Sequence, residues 1–92
     1  MKAIQPVTIW VNGQNKQGVW LNAYIVNDNL STTALFYWSI LSAGVEVDQQ
    51  GDKLSEGNLT ISGQDYIIWG ENSDVNLAAY EWIADQLGLT LI

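Results

Sequence analysis

Residues 57–70 read GNLTISGQDYIIWG, and the fold turns on where the hydrophobic period changes within them. Up to Ser62, the apolar Leu59 and Ile61 alternate with Asn58 and Thr60, the two-residue period of a strand with one buried face. Beyond it, Tyr66 and Trp69 stand three apart, the spacing of one helix face. Ser62-Gly63-Gln64-Asp65 joins the two regimes with the S-x-x-[DE] spacing of a capping box. In that motif the serine oxygen accepts the N–H three residues on, and the acid reaches back to the serine N–H. Gly70 is a natural stop. The stretch therefore predicts a strand running directly into a short helix over 63–69. Ser62 and Asp65 form the expected cap, and Tyr66 and Trp69 anchor the turn to the sheet. An acid among aromatics also has functional readings, a general acid of raised pKa or a sugar-binding cleft. The cap spacing favours the structural reading.

Working upstream, residues 4–62 are strand-like throughout. Val7, Ile9 and Val11 alternate with Thr8, Trp10 and Asn12, and Pro6, lacking a donor N–H, suits a strand start or a sheet edge. Asn12-Gly13 opens a polar turn running to Gly18. Val19, Leu21, Ala23 and Ile25 then alternate with Trp20, Asn22, Tyr24 and Val26, and NDNLSTT (27–33) is a loop. ALFYWSIL (34–41) is apolar on both faces and is expected to be a central, doubly covered strand. Val45 and Val47 alternate with Glu46 and Asp48, QQGDK turns the chain, and residues 58–61 form a fifth strand.

Downstream, a second helix is expected over 74–87, capped at Ser73 or Asp74. Val75, Ala79, Trp82, Ile83 and Leu87 form its apolar stripe, with Glu81 and Asp85 opposite. Gly88 takes the C-terminal glycine position, Leu89 folds back onto Ala84, and LTLI (89–92) offers a last short strand. Without a linker or repeat, residues 1–92 read as one domain. The expected fold class is α+β, a small antiparallel sheet of five to six strands with two C-terminal helices packed on it. The alternative is a β-sandwich with a helical appendage.

Composition narrows the chemistry. The 92 residues contain no histidine and no cysteine, which removes the commonest general base, thiolate ligands and disulfides. Three lysines against ten acids give a net charge of −7, and there is no arginine. A phosphate backbone is gripped by clustered Lys and Arg, so direct nucleic-acid binding is not expected. No apolar run approaches the roughly 20 residues of a membrane span, and MKAIQPVTIW is not read as a secretory signal. The sequons at Asn29 and Asn58 therefore carry no weight. Carboxylate pairs exist at Asp65/Glu71 and Glu81/Asp85, but the second pair lies on an exposed helix face and Asp65 already has a capping role. Asp48, Asp52 and Glu56, and Glu71, Asn72, Asp74 and Asn76, offer oxygen ligands without the spacing of a calcium loop. No catalytic residue, metal or cofactor is expected.

Aromatic content is the unusual feature, five Trp and four Tyr. By strand parity Trp10, Trp20 and Tyr24 face away from the aliphatic rows of their own strands. Either a second layer covers them, or they form a partner interface or a sugar-stacking face.

The segments TIWVNG (8–13), GNLTISGQDYIIW (57–69) and YEWIADQLGLTLI (80–92) together resemble the small virion-associated proteins of tailed bacteriophages. The positions carrying the likeness are Trp10, Asn12, Gly13, Asn58, Leu59, Gly63, Asp65, Tyr66, Trp69, Tyr80, Trp82 and Leu87. The resemblance implies a structural subunit of a capsid, neck, tail or fibre, assembled in the host cytoplasm. Its partners would be other virion proteins or copies of itself, with no membrane or nucleic acid. Two other readings remain: an acidic inhibitor or DNA mimic, and a carbohydrate-binding module on a fibre.

Overall fold

Asn12 and Gly13 both take positive φ, 49° and 83°, the two left-handed residues that a two-residue hairpin needs to match strand twist. In this computed structural model, which describes residues 1–44 and 50–92, that turn joins β1 (Lys2–Val11) to β2 (Gln14–Asp28). The polar run after Gly13 is thus strand and not turn. Gly18 sits inside β2 because a Cβ there would overlap the Cγ2 of Ile40 and crowd Val7 and Ile9. β2 passes through Asn29–Thr32 into β3 (Thr33–Ala43). The Asn29 side-chain oxygen accepts the N–H groups of Ser31, Thr32 and Thr33 at 2.8–3.0 Å, which closes that loop.

β4 (Gln50–Ser62) completes one antiparallel sheet in the order β1-β2-β3-β4. Among the described residues four strands stand where five to six were expected, in a single sheet and not the sandwich alternative. The expected strand at Val45–Val47 lies outside the described residues. Residues 50–53, read as a turn, belong to β4. Their glycine and acid occupy register irregularities opposite Ile40–Ala43, where Asp52 N–H donates to Ser42 Oγ at 2.9 Å. The LTLI segment makes an isolated bridge, Ile4 to Leu91, with Gln5 N–H donating to Thr90 at 2.8 Å and Ile92 N–H to Ala3 at 3.1 Å. It shields the start of the β1 edge up to Pro6 without becoming a strand.

α1 (Gly63–Gly70) and α2 (Val75–Leu87) pack on one face of this sheet. Ser62 occupies the N-cap of α1 but makes no side-chain capping bond. Gly63 enters the helix at φ 60°, which turns the serine away from the first turn. Asp65 instead accepts from the Trp82 indole N–H at 3.3 Å, so it ties α1 to α2 and not to its own N-terminus. Asp74 does cap α2, accepting from Leu77 N–H at 3.0 Å. Gly88 (φ 71°) ends it, with Leu89 N–H donating back to Ala84 at 2.8 Å.

The core is built from Ile4, Leu21, Phe36, Ile61 and Ile83, all less than 2% exposed, with Trp69, Tyr80 and Ala84 closing it from the helices. The stripe of α2 is largely the expected one, with Ile83 buried and Ala79, Trp82 and Leu87 packed against the core; it also takes in Tyr80 and Ala84, while Val75 is 39% exposed. Tyr80 is drawn in by the end of the β1 ladder. Pairing with β2 stops at Lys2 opposite Leu21, so Ala23 has no strand partner on that side. The Tyr80 hydroxyl takes both its backbone groups, accepting from Ala23 N–H at 3.1 Å and donating to Ala23 C=O at 3.2 Å.

Tyr80→Phe removes that hydroxyl while keeping the ring, and is expected to lower unfolding free energy by about 1–3 kcal/mol in urea titration. Gly18→Ala is expected to cost a similar amount, about 1–3 kcal/mol, through overpacking against Ile40. A wild-type midpoint for either variant would refute the corresponding contact.

Candidate interaction surface

With both helices on one face, no described element covers the other. Val7 and Ile9 pack against the core, so alternation sends Thr8 and Trp10 to the open side. Leu21 and Phe36 send Trp20, Tyr24 and Tyr37 the same way. Trp10 is 70% and Tyr24 56% exposed, whereas Trp20, opposite the buried Leu41, is half-buried. β3, expected to be covered on both faces, therefore has only one face under helices. On its other face Leu35 and Tyr37 are half-buried, and Ser39 and Leu41 further along are buried.

The structure does not gather the three aromatics into one spot. Trp10 lies opposite Asn15, nine residues before Tyr24 along β2, a separation of roughly 30 Å at strand rise. Tyr24 is joined instead by Tyr37, its cross-strand partner, with ring centroids 5.0 Å apart. The Tyr37 hydroxyl donates to Glu56, and Lys53 Nζ lies 2.9 Å from the same carboxylate and 5.7 Å from the Tyr37 ring centre. Parity of ALFYWSIL carried the signal for Tyr37. The Glu56–Lys53 pairing had none, because residues 50–53 read as a turn.

The Tyr37 hydroxyl and then the Lys53 ammonium hold the Glu56 carboxyl below the usual glutamate range. The reciprocal bonds from Glu56 and Tyr37 raise Lys53. At the far end of β2, the Tyr66 hydroxyl donates to Asp28 at 2.8 Å, which raises the phenol's pKa. Tyr66 thus anchors α1 by its hydroxyl. Trp69 anchors it by burial, with its indole N–H donating to the Val75 carbonyl at 2.8 Å.

The charge is unevenly placed. Residues 63–92 hold Asp65, Glu71, Asp74, Glu81 and Asp85 and no lysine, while Lys2, Lys16 and Lys53 all lie in the sheet. Among the described residues no three acids converge as a metal site. Glu56 is paired with Lys53, Asp52 approaches Lys16 at 4.0 Å, and Asp74 is a helix cap. Asp48 lies outside the described residues. No helix among them is long and apolar enough to cross a membrane. Of the carboxylate pairs, Glu81 and Asp85 are exposed as expected, and Asp65 borders a shallow groove between the helices with Glu81 and Trp82.

Glu56 titrates lower in the folded chain than unfolded. Its contribution to stability is therefore present above the ordinary carboxylate range and lost as pH falls through the lowered value. Tyr37→Phe is expected to move the Glu56 midpoint up toward the ordinary value, read by NMR titration of the side-chain carboxyl. An unmoved midpoint would mean that Tyr37 does not hold the carboxylate.

Comparison with known protein families, with curated proteins and with solved structures finds no match for this chain.

Proposed function

We propose that this chain is a non-enzymatic assembly protein, a structural subunit of a tailed-phage virion, that works through protein–protein contacts on its helix-free sheet face. One observation carries the reading: a sheet face with no covering element presents Trp10 and Tyr24 more than half exposed. Tyr and Trp are favoured interface anchors because they bury large area at little conformational cost. The same face carries hydrogen-bonding groups: Gln17 donates to Thr8 at 2.8 Å, and the Tyr37–Glu56–Lys53 cluster supplies an ordered polar rim. The likeness of residues 8–13, 57–69 and 80–92 to virion proteins supports the same class.

The disposition of the acids favours assembly over nucleic-acid mimicry. Asp28, Asp65 and Asp74 accept internal hydrogen bonds, and Asp52 and Glu56 approach lysines. Glu71, Glu81 and Asp85 remain as exposed acids with no partner among the described residues, too few for a phosphate-like row.

The test is particle composition. Mass spectrometry of virions purified from cells producing the chain is expected to find it in fixed stoichiometry. Trp10→Ser with Tyr24→Ser is expected to fold with an unchanged circular dichroism spectrum and to be lost from particles. Absence of the wild-type chain from purified particles would refute the virion reading.

A further inference from the structure

The sheet has an edge that its own chain leaves open. β1 pairs with β2 only from Gln14 to Leu21, while β2 runs on to Asp28 with its other side occupied by β3. Outward-pointing backbone groups recur at every second residue of an antiparallel strand. Ala23 is one such residue, and its N–H and C=O are taken by the Tyr80 hydroxyl. Ile25 is the next, ahead of the register irregularity between Ile25 and Asn27; its ladder partner is Phe36 of β3, and β1 offers it none. Sheet edges are ordinarily guarded by charge or proline. Residues 22–27 read NAYIVN and have neither. Tyr24, Ile25 and Val26 are 56%, 44% and 53% exposed. Beside them, Asn76 and Ala79 of α2 line a groove with Ala23 and Ile25.

We propose that a second copy of this chain covers this edge, the two β2 strands pairing antiparallel about a two-fold axis at Ile25. The segment is self-complementary in that register. The two Ile25 residues exchange N–H and C=O, and each Tyr24 falls opposite Val26 of the other copy, an aromatic–β-branched cross-strand pair. Ala23, already satisfied by Tyr80, needs no partner. The charges also agree. The same register sets position 29 opposite Leu21 of the other copy, and Leu21 is paired with Lys2. Lys2 of each copy therefore abuts the Asp28 end of the other β2, opposite in sign. A contact through the helical layers would instead oppose two surfaces with five acids each and no lysine. The result is one continuous eight-stranded sheet. With Ala23 held by Tyr80, three residues per strand, 24–26, pair directly and bury far less than the roughly 800 Å² per partner of a standard interface, so association is expected to be weak, micromolar or above. The inference rests on the edge of β2 and not on the open face, so a monomer would overturn it without touching the virion reading.

Sedimentation equilibrium from about 1 to 300 μM is expected to show a monomer–dimer equilibrium, weakened at least about thirtyfold by Ile25→Lys in a chain of unchanged circular dichroism. Because the chain has no cysteine, Tyr24→Cys with Val26→Cys introduces its only thiols. Oxidation is expected to link two chains, since facing Cβ atoms in such a pair lie about 4.5–5.5 Å apart. Thr8→Cys with Trp10→Cys, far from the edge, is expected to stay unlinked. A monomer throughout the range, a dimer indifferent to Ile25→Lys, or equal linking by both cysteine pairs would overturn the proposal. So would a monomer whose edge binds only a different protein.

Discussion

Phe36 is the point on which the two layers meet. It lies in β3, one of the two inner strands, is 1% exposed, and receives Trp69 of α1 at 5.3 Å and Trp82 of α2 at 5.9 Å, both edge-on. Edge-to-face contacts of this kind contribute about 0.5–1.5 kcal/mol beyond area burial, and they also fix orientation. Two short helices of 8 and 13 residues have little intrinsic stability. They persist because each delivers a tryptophan to the same ring. The polar atoms of those tryptophans then tie the helices together: Trp69 donates to the start of α2, and Trp82 to Asp65 of α1.

That arrangement decides what the rest of the surface is for. Five acids without a lysine make the helical layer repulsive to acidic partners and to itself. Cations sit only in the sheet, where Lys53 and Lys16 are already engaged with acids. The sheet is thus the side of the molecule where cations offset acids and where Trp10 and Tyr24 stand exposed, and both its open face and its unpaired edge lie on it. A chain of this size covers one face of a four-stranded sheet with two helices and has little left for the other, which is why aromatic residues remain accessible there.

Much of the architecture was legible locally. The period change after Ser62, the Asn12-Gly13 turn, the Asp74 cap and the Gly88 stop each depend on residues within a few positions of one another, and the structure has them where the sequence places them. The errors share a different character. Residues 50–53 look like a turn because glycine and acids favour turns, yet pairing with β3 absorbs them as strand irregularities. Ser62 and Asp65 have capping-box spacing, but Gly63 in the left-handed region and the proximity of Trp82 redirect both. Tyr80 looked no different from its helical neighbours until the end of β1 exposed Ala23, 57 residues away, to its hydroxyl. Trp10, Trp20 and Tyr24 shared a parity, but parity carries no information on position along a strand, and Tyr24 found Tyr37 as its neighbour.

By itself, then, the sequence determined the succession of strands and then helices, the place at Asn12-Gly13 where the chain turns, two helix ends and the lack of histidine and thiol chemistry, because propensity and periodicity act through neighbouring residues and composition is fixed by the chain. Only the tertiary structure decided how many strands form, which sheet face the helices leave bare, where Asp65 and Tyr80 place their polar atoms, and that β2 outruns its partner. Those outcomes depend on contacts between residues tens of positions apart, where burial and backbone pairing override local preference.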